Sequence, residues 1–465
     1  MQEPTDAQAS SWLQPLRSRL VEVWRSIPIG YRSSVYREHR RLLARHRHAS
    51  RAEVIRYRDE QVARLVEHVY AHVPYYRDVM RERGLVPADI TCAADLAKLP
   101  LLTKDQIMEN HDRLIATNIP ERLRFHQNTG GSTGRTLSFF ILKNHTNPRE
   151  KAFIYDQWER VGYRIGDRVA RIRGDAPPEP GQIAKYHRPE NMLAISTYFL
   201  APERAEEVCR LLEDFDPRFL HVYPSTIVFL TPLLDERGLR PKLPNLQAVL
   251  CGSENLYEGQ KRQIRDFWGC RPYAWYGLGE GCLLGGGCEH SDAYHFFPEY
   301  GVLEIVPDPA VPGLGELVGT TLGNPVMPFL RYRTQDYARW ESDHCDACGR
   351  PYDLVPHIEG RLQEYVVAGD GRILPVTSLI WGQHYECFGR IRKFQIHQDE
   401  PGVIRMCVVR RDSYTDADEK ELRERTERAT GGSLRVHVQY ADDIEATRAG
   451  KHKFVVQNLP IGLGD

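Results

Sequence analysis

A segment rich in glycine and hydroxyl side chains, Asn128-Thr129-Gly130-Gly131-Ser132-Thr133-Gly134-Arg135-Thr136, has the composition of an anion-binding loop. Its glycines allow a tight turn in which successive backbone N–H groups point inward, and its hydroxyls and arginine can donate hydrogen bonds to phosphate oxygens. The spacing of a Walker loop, G-x-x-x-x-G-K-[ST], is absent. The segment alone fits an ordinary glycine–serine turn as well, so its interpretation depends on the residues that follow.

Four further short motifs follow this segment along the chain. They are Tyr276-Gly277-Leu278-Gly279-Glu280, Arg331-Tyr332-Arg333-Thr334-Gln335-Asp336, Gly360-Arg361 and Arg448-Ala449-Gly450-Lys451. Each of them is more often structural than catalytic when it stands alone. Five such pieces in one order and spacing carry more information than any single piece.

Two cysteines spaced as Cys345-x-x-Cys348 and followed by a glycine are typical of the knuckle of a structural zinc site. Cys288 and His290 lie upstream and offer the second half of such a site, with His295 and His344 as alternatives to His290. The pattern therefore predicts zinc bound by Cys288, His290, Cys345 and Cys348. Unrelated reduced cysteines are the competing interpretation, and a redox pair is disfavoured because no thioredoxin-like context surrounds the motif.

Helices and strands that could position these motifs alternate through the middle of the chain. Apolar residues from Val62 to Val73 recur with helical spacing up to Pro74, and Thr103 opens a second helix with a capping box. Buried strands are predicted at 169–172, 219–223 and 246–250, with helices at 202–213 and 257–267 between them. This alternation predicts α/β units with parallel strands. Strands at 302–306 and 316–322 follow.

The C-terminal part has a different pattern. Strands are predicted at 393–397 and 403–409, then a charged helix that Thr415 caps and that ends near Ala429, then a third strand at 434–438. A compact β-β-α-β module joined to the rest at one point is suited to act as a moving lid.

The motifs, in this order, resemble those of the adenylate-forming superfamily and, within it, the phenylacetate–CoA ligase family. The resemblance runs from His72-Val73-Pro74-Tyr75-Tyr76-Arg77 to Lys451-His452-Lys453-Phe454. The segment at 289–301 is most similar to the CapK-type branch linked to capsule biosynthesis. The resemblance also supports the zinc site, because relatives pair a cysteine in the first region with two in the second.

A multidomain α/β fold is implied by this resemblance: a large adenylate-forming domain of layered α/β structure with a β-rich part, carrying a small α+β lid. We place an N-terminal helical region at 1–75, the adenylate-forming core at 76–360 and the lid domain at 361–465.

The resemblance also implies roles for individual residues. Thr129 to Arg135 would hold the ATP phosphates, and Tyr276 with Gly277 would contact adenine. Glu280 would bind Mg²⁺, a cation that prefers oxygen ligands, and Asp336 would bind the ribose hydroxyls. Arg361 would contact ribose or phosphate near the hinge, and Lys451 would bridge the attacking carboxylate and the α-phosphate, with Lys453 as its nearest competitor.

The implied reaction joins a carboxylic acid to AMP with release of pyrophosphate and then transfers the acyl group, by default to CoA. An amine or a carrier protein is the alternative acceptor, and a catalytically silent, zinc-stabilised scaffold is the alternative of another class. Four departures from the family pattern allow an altered enzyme: Arg135 in place of lysine, Gly279 in place of threonine, Gln335 in place of glycine, and Gln363-Glu364 in place of two aspartates.

Composition restricts the possible partners. The 62 Lys and Arg residues balance the 63 Asp and Glu residues, so the chain has no large net charge that would attract nucleic acid. The stretch 31–58 is rich in Arg and His, and it fits either a solvated helix face or a contact with lipid headgroups or RNA. No apolar run has the length of a membrane span, no signal peptide is recognisable, and ten cysteines without a disulfide pattern favour the reducing cytoplasm. A homodimer is possible. Arg171 and Arg173 alternate on a predicted strand, where they either reach an anionic ligand or form internal salt bridges.

Overall fold

The computed structural model describes residues 29–128, 137–174, 182–200, 202–254, 256, 258–307, 315–359, 365–376, 379, 385, 387, 390–444 and 455–459. Three of the predicted nucleotide-binding features, the loop at 129–136, Arg361 and Lys451, lie outside these ranges. Their roles stay predictions.

Helices dominate the first part of the described chain and recur between the strands of the second. The α-helices are Ile29–Arg32 (α1), Ser34–His46 (α2), Arg51–His72 (α3), Pro74–Glu82 (α4), Lys104–Glu109 (α5), Thr146–Glu159 (α6), Ala205–Phe215 (α7), Pro224–Asp235 (α8), Glu258–Trp268 (α9) and Asp416–Ala429 (α10).

The strands begin after the first five helices. They are Arg124–Asn128 (β1), Ser138–Leu142 (β2), Val169–Arg173 (β3), Ala184–His187 (β4), Met192–Ser196 (β5), Phe219–Val222 (β6), Ala248–Cys251 (β7), Arg271–Gly277 (β8), Leu284–Gly287 (β9), Tyr294–Phe296 (β10), Gly301–Pro307 (β11), Gly315–Thr321 (β12), Tyr332–Ala338 (β13), Asp353–Val355 (β14), Ile358–Glu359 (β15), Tyr365–Val367 (β16), Ile373–Pro375 (β17), Ile391–Glu400 (β18), Val403–Arg410 (β19), Arg435–Tyr440 (β20) and Val455–Gln457 (β21).

Local sequence signals set the helix boundaries near the N-terminus. Helix α3 stops at His72 because Pro74 cannot donate a backbone hydrogen bond, and Pro74 itself opens α4. The predicted capping box is confirmed, since the backbone N–H of Thr103 donates to Gln106 Oε1 at 2.8 Å and that of Gln106 donates to Thr103 Oγ1 at 3.2 Å.

The largest sheet has nine strands in the order β14-β10-β9-β8-β7-β6-β3-β5-β4. Its centre, from β8 to β5, is parallel, as the alternation of strands and helices predicts. Helices cover both faces: on β7, Val249 and Cys251 join the cluster of α7, α8 and α9, whereas Leu250 joins the cluster that includes Phe153 of α6. The antiparallel strands at both edges were not anticipated from the sequence.

A second sheet, in the order β11-β12-β13-β15, packs with the β1–β2 hairpin and the N-terminal helices. Val66 of α3 lies in the same buried cluster as Phe139 of β2 and Leu317 of β12. The helices before residue 75 therefore share the core of the region that follows them.

The C-terminal sheet has the order β20-β19-β18-β21, and helix α10 packs on it. Phe394, Met406 and Leu422 form its separate core. Strand β21, which pairs parallel with β18, extends the predicted β-β-α-β module. Phe199 contacts this core and also the core around α7 to α9.

None of the helices in the described ranges combines the length and the apolar character that crossing a bilayer requires.

Phe153 is a test of the packing between α6 and the main sheet. Its ring is fully buried and lies 5.4 Å from the ring of Phe297 and 5.2 Å from that of Tyr300, centroid to centroid. Phe153→Ala should lower the free energy of unfolding by about 3 to 5 kcal/mol, because the cavity adds to the lost burial. The matched control Phe125→Ala, at a side chain that is 50% exposed, should change it little. Urea denaturation followed by fluorescence measures both, and equal effects would contradict the assigned core.

Candidate active site

Tyr276 and Asp336 meet in the structure although 60 residues separate them in the sequence. Tyr276 lies near the carboxyl end of β8, followed by Gly277, and Asp336 lies within β13. The Tyr276 hydroxyl donates a hydrogen bond of 2.8 Å to Asp336 Oδ2. Burial, followed by the charge of Asp336, raises the pKa of Tyr276 well above its usual value, so this hydroxyl keeps the hydrogen that it donates. Two of the predicted nucleotide-binding motifs therefore form one site.

A second tyrosine–carboxylate pair joins the same two segments. Glu280, just beyond the end of β8, accepts a hydrogen bond of 2.8 Å from the hydroxyl of Tyr332 at the start of β13. Glu280 is 8% exposed, and it forms no ion pair with any residue that the structure describes. A nearly buried carboxylate without a cationic partner is suited to a hard divalent cation such as Mg²⁺.

An irregularity in the pairing of β12 with β13 sets the position of Asp336. Three residues of β13, from Thr334 to Asp336, stand opposite the single residue Leu317. The Thr334 hydroxyl donates to the Leu317 carbonyl at 2.7 Å and accepts from the backbone N–H of Asp336 at 3.0 Å. The backbone N–H of Gln335 donates to Glu316 Oε1 at 2.8 Å. These bonds fix the backbone that carries the carboxylate.

The segment predicted to bind phosphate connects the two strands of a hairpin. Strands β1 and β2 are antiparallel, and their last pair joins Asn128 to Ser138. Residues 129–136 span this connection and lie outside the described residues, so the placement of Thr129, Gly130, Gly131, Ser132, Thr133, Gly134 and Arg135 is not tested. Arg361 and Lys451 also lie outside them.

A second cluster of functional groups lies at the edge of the main sheet. The potential ligand atoms of Cys288, His295, Cys345 and Cys348 all lie within 4.8 Å of one another. Sγ of Cys288 is 3.9 Å from Sγ of Cys345, and Sγ of Cys348 is 3.5 Å from Nε2 of His295. Gly349 closes the knuckle with a φ of 72°, a conformation that favours glycine, and its N–H donates to the Cys345 carbonyl at 2.7 Å.

His295 occupies the position in this cluster for which the sequence predicts His290. His290 is exposed on the turn between β9 and β10, and its backbone N–H, at 3.3 Å, is what contacts Sγ of Cys288. His295 is fully buried on β10, where it pairs with Gly286 of β9, and its ring reaches the cluster. The correction has a simple reason: the hairpin turn directs His290 to solvent and returns His295 to the cluster.

Neighbouring arginines keep His295 neutral. Burial, then Arg160 and Arg350, lowers the pKa of His295 to about 2, and a neutral imidazole is the form that binds a metal. Nη1 of Arg160 lies 3.2 Å from Nδ1 of His295 and 3.0 Å from the Gly287 carbonyl. A metal bound at Nε2 would require the ring hydrogen to be on Nδ1. Because a guanidinium only donates hydrogen bonds, Arg160 could then no longer donate to Nδ1 and would keep the Gly287 carbonyl as its acceptor.

Comparison with known proteins agrees with this geometry. Residues 376–458 match the CapK C-terminal domain family. The chain is 28% identical to phenylacetate-coenzyme A ligase of Pseudomonas putida over 70% of this chain and 75% of that protein. It is 26% identical to the Aromatoleum evansii enzyme over 89% and 96%, and 22% identical to protein CapK of Staphylococcus aureus over 83% and 85%.

Solved structures of similar fold point the same way. A 2-hydroxyisobutyryl-CoA ligase in its postadenylation state, in complex with R3-HIB-AMP, superposes with a TM-score of 0.56 at 19% identity, over 88% of this chain and 90% of that one. The same enzyme with 2-HIB-AMP and CoA in its thioesterification state gives 0.55 at 18% identity, over 87% and 90%. Over most of its length the chain is similar to phenylacetate-coenzyme A ligases, and it shares the fold of these solved structures.

One departure from the family pattern that the sequence resembles is structurally informative. Gln335 stands where the family motif has glycine, and its backbone adopts a φ of 63°. This is the left-handed region, which costs a residue with a Cβ about 1 to 2 kcal/mol. A glutamine thus holds a backbone conformation that favours glycine, at an energetic cost.

Gln335→Gly should therefore raise the free energy of unfolding by about 1 kcal/mol, offset in part by the greater freedom of the unfolded chain. The control Gln439→Gly, on β20 where φ is not positive, should lower it by about 0.5 to 1 kcal/mol. Chemical denaturation of the two variants measures the contrast. Destabilisation by both would show that the left-handed conformation of Gln335 carries no strain.

Proposed function

We propose that this protein activates a carboxylic acid as an acyl-AMP with release of pyrophosphate and then transfers the acyl group, most directly to CoA. The observation that carries the proposal is the convergence of Tyr276 with Asp336 and of Tyr332 with Glu280 in one site. The relatives named as phenylacetate-coenzyme A ligases and the structures of 2-hydroxyisobutyryl-CoA ligase support it.

Each residue has a chemical task in the first half-reaction. Asp336 would accept hydrogen bonds from the ribose hydroxyls, and Tyr276 and Gly277, beside it, would line the adenine position. Glu280 would hold Mg²⁺, which neutralises phosphate charge. The substrate carboxylate is already a nucleophile, so the protein has to align it with the α-phosphorus and stabilise the developing charge. Residues 129–136, Arg361 and Lys451 would supply the positive charge and backbone donors.

Acyl transfer to an amine or to a carrier protein is the second candidate for the second half-reaction. The match that favours it is the CapK C-terminal domain family over 376–458, because the lid of such an enzyme would cover the acceptor site. Pyrophosphate release across a panel of aryl and short-chain acids tests activation. Mass spectrometry of the product with and without CoA then identifies the acceptor. Silence across the panel, with no ATP binding by calorimetry, would favour a non-catalytic scaffold.

Glu280→Gln tests the first half-reaction. The amide keeps the shape of the side chain and its bond to Tyr332 but loses the charge that would hold Mg²⁺, so pyrophosphate release should fall by roughly 100-fold or more with an unchanged melting temperature. The matched control Glu341→Gln, at an exposed side chain, should leave the rate unchanged. Wild-type activity of Glu280→Gln at low Mg²⁺ would make the role of Glu280 purely structural.

The cysteine–histidine cluster is proposed as a structural zinc site. Three thiols and one neutral imidazole are a usual ligand set of tetrahedral zinc, and Arg350 and Arg160 would offset the negative charge of three thiolates. Such a site would connect the β9–β10 hairpin to the segment before β14. Metal binding contributes on the order of 10 kcal/mol to small modules of this kind.

Protein purified without added metal should contain about one zinc per chain, measured by elemental analysis. His295→Ala and the double variant Cys345→Ser/Cys348→Ser should lose it, because both remove buried ligands. His290→Ala and the remote Cys92→Ser should retain it, and near-ultraviolet circular dichroism verifies that each variant is folded. Undiminished zinc in the double variant would contradict the site, and loss in His290→Ala alone would restore His290 as the ligand.

A further inference from the structure

An arginine that has no counter-ion among the described residues lies at the carboxyl edge of the main sheet, with two strands between its strand and the one that carries Tyr276. Arg173 ends β3, and the register of the parallel strands places Ile172, Val222, Cys251 and Ala274 in one row. Arg173, Tyr223, Gly252 and Trp275 form the next row. In open parallel sheets, ligands bind beyond the carboxyl ends of the strands.

The Arg173 side chain reaches across two neighbouring strands. Its Nη2 donates to Ser253 Oγ at 2.7 Å, and its guanidinium carbon lies 4.0 Å from the centre of the Tyr223 ring. On the neighbouring strand, Gly252 leaves room for Trp275, because a Cβ there would lie 2.3 Å from the indole. The contacts with Ser253 and Tyr223 fix the guanidinium at this edge of the sheet, with an aromatic ring on one face.

Within the described part of the chain, the hydrogen-bond partners of Arg173 are neutral. Nη1 lies 2.9 Å from Nε2 of His221. The pKa of His221 is well below its usual value, because the ring is buried and because Arg173 and Arg171 are close to it. The neutral ring therefore accepts a hydrogen bond at Nε2. Nε of Arg173 is buried and has no hydrogen-bond partner in the described part of the chain. No carboxylate in that part forms an ion pair with Arg173, so the salt bridge that the sequence leaves open for it is not formed there.

A partly buried guanidinium without a counter-charge is costly unless a ligand supplies the charge. Hydrogen bonds to β13 join the residues that we propose to bind the nucleotide: Tyr276 bonds to Asp336, and Glu280 bonds to Tyr332. Strands β7 and β6 lie between β8, which carries Tyr276, and β3, which carries Arg173. Arg173 therefore lies on the same carboxyl edge as Tyr276, with two strands between them. In the proposed function the acid has to lie beside the nucleotide, and this edge offers it a position. We propose that Arg173, with Ser253 and Tyr223, binds a second acidic group on the carboxylic acid, so that the preferred substrate is a dicarboxylic acid.

This inference rests on the proposed function for its choice of ligand, and binding measurements separate the two. Calorimetry compares acids in matched pairs, pentanoate with glutarate and phenylacetate with 4-carboxyphenylacetate, and requires no turnover. The wild-type protein should bind the dicarboxylic member about 10- to 100-fold more tightly, the usual range for a charge-assisted hydrogen bond. Pyrophosphate release with the same acids should show the same preference in kcat/KM.

Three variants locate the preference. Arg173→Met should abolish or invert it, and Arg173→Lys, which keeps the charge without the fork of donors, should retain part of it. The matched control Arg168→Met, exposed at the opposite end of the same strand, should leave it unchanged. A normal melting temperature of the Arg173 variants excludes misfolding as the cause.

Distinct outcomes overturn the inference and the proposed function. Equal affinity for the paired acids in the wild type, or an unchanged preference in Arg173→Met, overturns the inference. A raised KM for ATP in Arg173→Met with an unchanged acid preference assigns Arg173 to the nucleotide and also overturns it. A binding preference that depends on Arg173 without pyrophosphate release from any acid would keep the inference and reject the proposed function.

Discussion

Strand β13 has to leave its regular pairing at one point to bring a carboxylate into the site, and buried hydrogen bonds hold it there. Two backbone hydrogen bonds join Leu102 to the start of the strand: its N–H donates to the Arg331 carbonyl at 2.9 Å, and its carbonyl accepts from the Arg333 N–H at 3.0 Å. Glu316, 2% exposed on the neighbouring strand, accepts from the Gln335 backbone and from the Arg333 side chain. Both tyrosine–carboxylate pairs depend on this strand, because it carries one member of each.

Buried charge also attaches the N-terminal helices to the core. The buried guanidinium of Arg149 donates to the carbonyls of Glu299 and Tyr300 at 2.8 and 2.9 Å. Gly323 makes room for it, because a Cβ there would come within 2.1 Å of the guanidinium. The carboxylate of Glu299 in turn accepts from His46 of helix α2 at 2.8 Å. An unpaired buried charge lowers the stability of the folded state, so these bonds hold helix α2 in one position against the core.

The two outer parts of the molecule meet the main sheet in different ways. The cysteine–histidine cluster lies beyond the β9–β10 hairpin and so joins residues that the sequence separates by more than 50 positions. The C-terminal sheet has its own apolar core, and Phe199 is a residue that packs against this core and also against the core of the main sheet. A module with a separate core is suited to the rigid-body motion that the predicted lid would require.

The sequence by itself determined the elements and the chemistry that they carry. Helical periodicity, Pro74 and the capping box at Thr103 define the N-terminal helices, and alternating apolar runs predict the parallel strands, because these signals are local. The motifs around Tyr276, Asp336 and Cys345 carry the resemblance to the adenylate-forming superfamily and predict a set of metal ligands. Only the tertiary structure decided that His295 replaces His290 in that set, since the choice depends on which way a hairpin turn directs each ring. Likewise, the left-handed backbone of Gln335 and the neutral partners of Arg173 follow from contacts between distant strands, which no local pattern encodes.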